Sequence, residues 1–93
     1  MLECGCVVRS LSGHDAGGCF VVLRCGNGFA YVCDGARRRF ECPKRKNAKH
    51  LKLLDVQKVQ SAQCDAHVRR ALKSIGAVRT RGYFRLKEEG CFV

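Results

Sequence analysis

Turn-forming residues recur roughly every 8–10 positions in the first half of the chain, and that spacing limits what it can become. Gly13-His14-Asp15-Ala16-Gly17-Gly18, Gly26-Asn27-Gly28 and Asp34-Gly35 supply positive-φ positions and side-chain caps. The segments between them are short, apolar and rich in β-branched residues: Cys6-Val7-Val8-Arg9, Cys19-Phe20-Val21-Val22-Leu23 and Phe29-Ala30-Tyr31-Val32-Cys33. Each is too short for a helix and suits a buried strand. Asp34-Gly35 reads as a two-residue hairpin turn, which predicts a return strand over residues 37–41. Leu51-Lys52-Leu53-Leu54 reads as a closing strand. Several short strands with tight turns imply a small barrel, which leaves few exposed edges. The fold expected is mainly β, with the barrel over residues 3–54 and an extension over 55–93.

The extension changes period. Residues 55–64 fit neither helix nor loop decisively. Val68, Ala71, Leu72 and Ile75 then fall at i, i+3, i+4 and i+7. This predicts a helix over about 65–75, with Asp65 as N-cap and Gly76 just past the end. Beyond it, residues 78–87 alternate as an extended segment that places Arg79, Arg81, Tyr83, Arg85 and Lys87 on one face. At 93 residues, the chain has room for one small domain and little concavity.

Charge is concentrated rather than scattered. The net charge is +10. Residues 37–52 carry Arg37, Arg38, Arg39, Lys44, Arg45, Lys46, Lys49 and Lys52 against Glu41 alone, and residues 78–87 carry Arg79, Arg81, Arg85 and Lys87 with no acid. The rest of the chain is nearly neutral. Two basic clusters, each beside an aromatic (Phe40 and Tyr83), form an electrostatic footprint for a phosphate backbone. A solvated basic face is the plainer alternative. Phe29 and Tyr31 share a strand face opposite Ala30 and Val32. Either they are exposed and stack on unpaired bases, or they fill the core. Asp15 caps its loop or makes a specificity contact, and Gly17 and Gly18 shape the loop or admit a phosphate. His50 anchors the turn into the last strand.

The run Gly5-Cys6-Val7-Val8-Arg9-Ser10, then Gly13-His14-Asp15-Ala16-Gly17, then Phe20-Val21-Val22 closely resembles a KOW motif. Tyr31-Val32-Cys33-Asp34-Gly35, the Arg37–Arg39 run and Pro43-Lys44-Arg45-Lys46-Asn47-Ala48-Lys49-His50-Leu51 extend the likeness. Together they resemble the KOW-bearing group around large-subunit ribosomal protein fourteen, in particular its short bacterial relatives, the KOW-domain RNA-binding proteins. Residues 65–72 are similar to a helix near the end of those relatives. The likeness implies an SH3-like barrel and a ribosome- or translation-associated module that binds RNA, with ribosomal RNA or ribonucleoprotein components as partners. It equally allows a KOW barrel that binds protein. Residues Arg37, Arg38, Arg39, Lys44, Arg45, Lys46, Lys49, Lys52 and Tyr31 are the expected RNA contacts. Arg79, Arg81, Tyr83, Arg85 and Lys87 form the expected secondary site, while Gly13, Asp15, Gly17, Gly18, Asp34 and Gly35 form the loops and turns of the motif.

No spacing pairs a nucleophile with a base as hydrolases do, so the expectation is a non-catalytic protein without cofactor. The eight Cys and three His lack C-x-x-C or H-x-x-x-H pairs, which predicts reduced, metal-free cysteines, most of them small buried hydrophobes inside strands, with a structural metal, disulfides or redox sensing as the alternatives. No apolar run reaches the length of a membrane span, and the N-terminus lacks a basic, apolar leader. The expectation is a cytoplasmic monomer with no membrane partner.

Overall fold

The computed structural model describes residues 4–55, 64–80 and 82–86. In chain order the elements are β1 (Val7–Ser10), β2 (Cys19–Gly26), β3 (Phe29–Cys33), β4 (Lys44–Asn47), a 3-10 turn at Ala48–His50, β5 (Leu51–Asp55), α1 (Asp65–Ser74), β6 (Ala77–Thr80) and β7 (Tyr83–Leu86). The first five strands form an antiparallel sheet in the order β4-β3-β2-β1-β5, and β6 and β7 form a separate hairpin. β4 and β5 stand at opposite ends of this ladder, so its hydrogen bonding is open rather than closed.

Period-two alternation sorts the sheet's side chains into two cores. On one face Val7, Cys19, Val21 and Cys33 meet Val68 and Leu72 of α1, together with Ala77 and Phe84 of the hairpin. The opposite face gathers Cys6, Val8, Phe20, Val22, Ala30, Val32 and Leu51, with Leu53 and Tyr83 packed against them. Ala30 and Val32 are fully buried, which decides the placement of the aromatics: Phe29 and Tyr31 point the other way and are half-buried.

Residues 37–41 are not a strand, and Asp34-Gly35 is not a two-residue hairpin. The Asp34 carboxylate accepts from the backbone N–H of Ala36 (2.9 Å) and Arg38 (2.8 Å). The N–H groups of Asp34 and Gly35 in turn donate to the Arg38 carbonyl. This side-chain-capped loop competes with strand pairing, as Asp does near turns, and the return strand begins only at Lys44. Gly35 has φ +75°, and a Cβ there would lie 2.5 Å from the Asp65 carbonyl oxygen. The glycine therefore sets how closely this loop approaches the start of α1.

The helix begins one residue earlier than its capping signal implied. Cys64 occupies the N-cap position without a side-chain cap, and Asp65 is the first helical residue. Its carboxylate serves the neighbouring loop instead, accepting from Phe40 N–H (2.6 Å) and Arg39 Nε (2.8 Å). The C-terminal end follows expectation: Gly76 lies just beyond it with φ +90°. Residues 78–87 are not one extended face. Gly82, at φ +88°, turns the chain back so that Val78 pairs with Arg85 and Arg79 with Phe84. Arg79 and Arg85 consequently lie on opposite faces of the hairpin, while Arg81 and Lys87 fall outside the described residues. The ambiguous stretch 55–64 is described only at its ends. Among the described residues, no helix is long and apolar enough to cross a membrane.

Seven cysteines are described. Only Cys6, just before β1, and Cys19 and Cys33, in strands, are buried; Cys4, Cys25, Cys42 and Cys64 are exposed. The expectation that most cysteines are buried in strands therefore fails, since Cys4, Cys42 and Cys64 lie outside the strands and Cys25 stands near the β2–β3 turn. Burial pushes the Cys19 thiol up to about 11. Burial, joined by the nearby Asp34 and Asp65 charges, pushes Cys33 to about 12. Because the thiolate is the reactive species, iodoacetamide at mildly alkaline pH should label the four exposed cysteines. Cys6, Cys19 and Cys33 should stay unlabelled until denaturant is added. Peptide mapping by mass spectrometry checks this, and rapid labelling of Cys33 in the native protein would contradict the fold. Among the described residues, no three His, Cys, Asp or Glu side chains converge as metal ligands.

Candidate nucleic-acid interface

A single extra residue in β2 builds the surface of interest. The β2–β3 register runs Val22↔Val32 and then Arg24↔Tyr31, leaving Leu23 unpaired as a bulge. Strict alternation from Val21 would turn Arg24 toward the buried Ala30–Val32 face. The bulge reverses that phase and delivers Arg24 to the face of Tyr31. On the other side of Tyr31 the β3–β4 register places Arg45 directly opposite. A row Arg24–Tyr31–Arg45 therefore crosses three strands, with Phe29 and Asn47 paired beside it.

Ring and guanidinium contacts order this row. Arg24 lies over the Tyr31 ring, 5.2 Å from its centroid, and Arg45 over the Phe29 ring at 4.4 Å. The two rings meet edge to face at 5.6 Å. Phe29 rests on Gly26, where a Cβ would come within 2.6 Å of the ring. The aromatics are thus the floor and the exposed guanidiniums the outer layer. Each cation–π contact contributes about 0.5–1 kcal/mol at such exposed sites, enough to pre-position a side chain while its N–H groups stay available.

The basic residues singled out in the sequence do not share one role. Lys46 is the clearest departure from expectation: it is only 8% exposed and sits in a buried network rather than on the surface. Its Nζ donates to Asp15 Oδ1 (2.7 Å), Ser10 Oγ (2.8 Å) and the Ser12 carbonyl (3.1 Å). Lys44 Nζ reaches the other Asp15 oxygen at 3.3 Å. Asp15 is the hub of this cluster, and the Ser10 hydroxyl also lies 2.8 Å from its Oδ1. Gly13, Gly17 and Gly18 shape the surrounding loop, which is laced to β1 by Ser10 N–H to the Gly18 carbonyl and Gly17 N–H to the Ser10 carbonyl. Burial pushes the Asp15 carboxyl up, but hydrogen bonds from Lys46 and Ser10 and the charges of Lys46 and Lys44 outweigh it, so the net shift is downward.

The 37–39 run is dispersed in the same way. Arg37 lies over the Tyr83 ring at 5.1 Å, with Arg85 at 5.9 Å from the same centroid. Arg85 also donates to the Ala16 carbonyl (3.0 Å). Arg39 pairs with Asp65, whose carboxyl is held low mainly by the Phe40 N–H and then by Arg39. Arg38 is half-buried in the Asp34 loop. Lys52 is exposed on β5, opposite Arg9 of β1 and at the far edge of the sheet from Arg45. Tyr31, Arg45 and Lys49 are therefore the expected contacts that the fold gathers on or beside one surface. Arg37, Tyr83 and Arg85 form a second, smaller cluster, which brings the two basic segments together. Arg24 was not expected as a contact, whereas Phe29 was considered with Tyr31 as a base-stacking ring or a core residue and is half-buried on the Tyr31 face. Counting outward from the Asn27-Gly28 turn would have placed Arg24 opposite Tyr31.

No protein-family model matches this chain, and no curated protein matches it.

Proposed function

We propose that the protein is a non-catalytic RNA-binding module of the KOW type, ribosome- or translation-associated, built on an SH3-like barrel. Two features support the barrel reading. Strands β1 to β4 run as a meander through the long, bulged β2, and β5 returns to pair with β1. The second core also draws its buried members from β1, β2, β3 and β5 and the residue preceding β1. Such a sheet curls around its own interior.

The Arg24–Tyr31–Arg45–Phe29 row carries the functional reading. Guanidiniums stacked on aromatics present donors to phosphate and flat surfaces to unpaired bases at once. Lys49 extends the positive edge, and the Arg37–Tyr83–Arg85 cluster supplies the secondary contact. Contacts of this kind position an RNA strand by its phosphates. A protein-docking KOW surface would rest on an apolar patch, yet among the described residues only Leu11 and Val78 are exposed large hydrophobics. They do not join the Arg24–Arg45 row.

Ultraviolet crosslinking in cells followed by peptide mapping tests this reading. Crosslinked nucleotides are expected on the peptides carrying Phe29, Tyr31 and Arg45. Crosslinks confined to α1, or none above background, would overturn it.

A further inference from the structure

Beside Phe29 the surface opens into a cleft of about 520 Å³, lined by Asn27, Gly28, Phe29, Arg45, Asn47 and Lys49 among others. That volume lies in the range of small-ligand sites. Its walls are the β2–β3 turn and the junction of β4 with the 3-10 turn, and they are fastened together. The Ala48 N–H donates to the Gly28 carbonyl (2.9 Å), and Phe29 pairs with Asn47 across the strands.

Hydrogen-bond accounting gives the cleft a chemical preference. Asn47 Oδ1 accepts from Lys49 N–H at 3.0 Å, capping the 3-10 turn. That bond requires the oxygen to face the backbone, so the Asn47 amide group is left with its two N–H donors. Arg45 and Lys49 are donors only. Among these lining side chains, Asn27 alone retains a free amide acceptor. The Arg45 guanidinium, supported from below by Phe29, adds a flat cationic surface at the cleft's side.

Resting on the RNA-binding reading above, we infer that this cleft holds one unpaired guanine of the bound strand. Guanine offers two adjacent acceptors, N7 and O6, on one edge of a large ring that stacks on a guanidinium plane. Adenine instead turns its exocyclic amino group toward the same donors, and cytosine, whose N3 and O2 also accept, offers only a single small ring to the guanidinium plane. Lys49 meets the phosphate of that nucleotide.

The test measures binding of the full chain to labelled oligouridine strands that carry one central guanosine, adenosine or cytidine. The guanosine strand should bind about tenfold more tightly than the other two, a difference of about 1.4 kcal/mol that base-edge hydrogen bonds from the Asn47 amide and stacking on Arg45 together supply. Asn47→Ser keeps an acceptor for the Lys49 N–H but removes the amide donors. It should erase the guanosine preference while leaving the affinity for plain oligouridine, its salt dependence and the melting temperature unchanged. Lys49→Ala should weaken all three strands alike. Equal binding of the three strands by the unsubstituted protein, or a preference that survives in Asn47→Ser, overturns the inference and leaves general RNA binding standing. Absence of binding to any strand at low salt overturns both.

Discussion

Replacing Lys46 by Met is expected to destabilise the fold by up to about 3 kcal/mol, the lower end of the cost of unpairing a buried charge, because Lys44 and the Ser10 hydroxyl still meet the Asp15 carboxylate. A chain with a typical margin of about 5–15 kcal/mol would lose a large part of it. Asp15 is 1% exposed and Lys46 8%, so neither lost partner is replaced by water. The Met side chain has similar length and fills the same space, which isolates the electrostatic loss from a packing defect. Asp15→Asn should cost a comparable amount, because it strands the ammonium group among Ser10, Ser12 and an amide. The double variant should be less damaged than the sum of the two, since residues in direct contact do not act additively. Chemical denaturation of the four proteins checks this cycle. Additive losses would mean that the pair does not hold the loop.

The same pair sets an acid limit. The Asp15 carboxyl titrates below its ordinary value of 3.8 in the folded protein. Its stabilising contribution is therefore complete above that ordinary value and is lost as the pH falls through the lower folded value. Asp65 acts in the same direction, held low by Phe40 N–H and Arg39. Acid unfolding should consequently begin at higher pH in Lys46→Met than in the unsubstituted chain.

What could be read from the sequence, and what could not, divides along range of interaction. Strands β1, β2, β3 and β5, the helix and the glycine after it follow from local turn chemistry and periodicity, and the structure places them nearly where expected. Some departures are local competitions that turn chemistry alone does not rank, and others are tertiary. The Asp34 carboxylate captures backbone N–H groups and prevents a hairpin that local preference favours. Gly82 interrupts a period-two pattern that looked continuous, because alternation alone does not register the turn at Gly82. Lys46 looked like one of several equivalent surface cations. Its buried partner Asp15 lies 31 residues away, and no local pattern links the two. The Leu23 bulge likewise moves Arg24 onto the face of Tyr31, through a register shift that only the hairpin's count from Asn27-Gly28 could anticipate.

The central claim concerns that face, and the second large effect expected is on its binding. Each phosphate contact to a single strand lowers the slope of log affinity against log salt by about 0.7. Arg24, Arg45 and Lys49 are all exposed, and none of them belongs to the Asp15 network, so the triple alanine variant should fold normally. Losing three contacts should flatten the slope by about 2. The stacked guanidiniums also support the bases, at about 1–3 kcal/mol per base, so affinity at low salt should fall by at least about tenfold. Arg70→Ala, an exposed charge on α1, is the control and should behave as the unsubstituted chain. The decisive measurement is a salt titration of binding to a single-stranded RNA for these three proteins. A slope flattened by about 2 in the triple variant alone is the predicted result; an unchanged slope in that variant, with its fold intact, would show that RNA is not held on this surface.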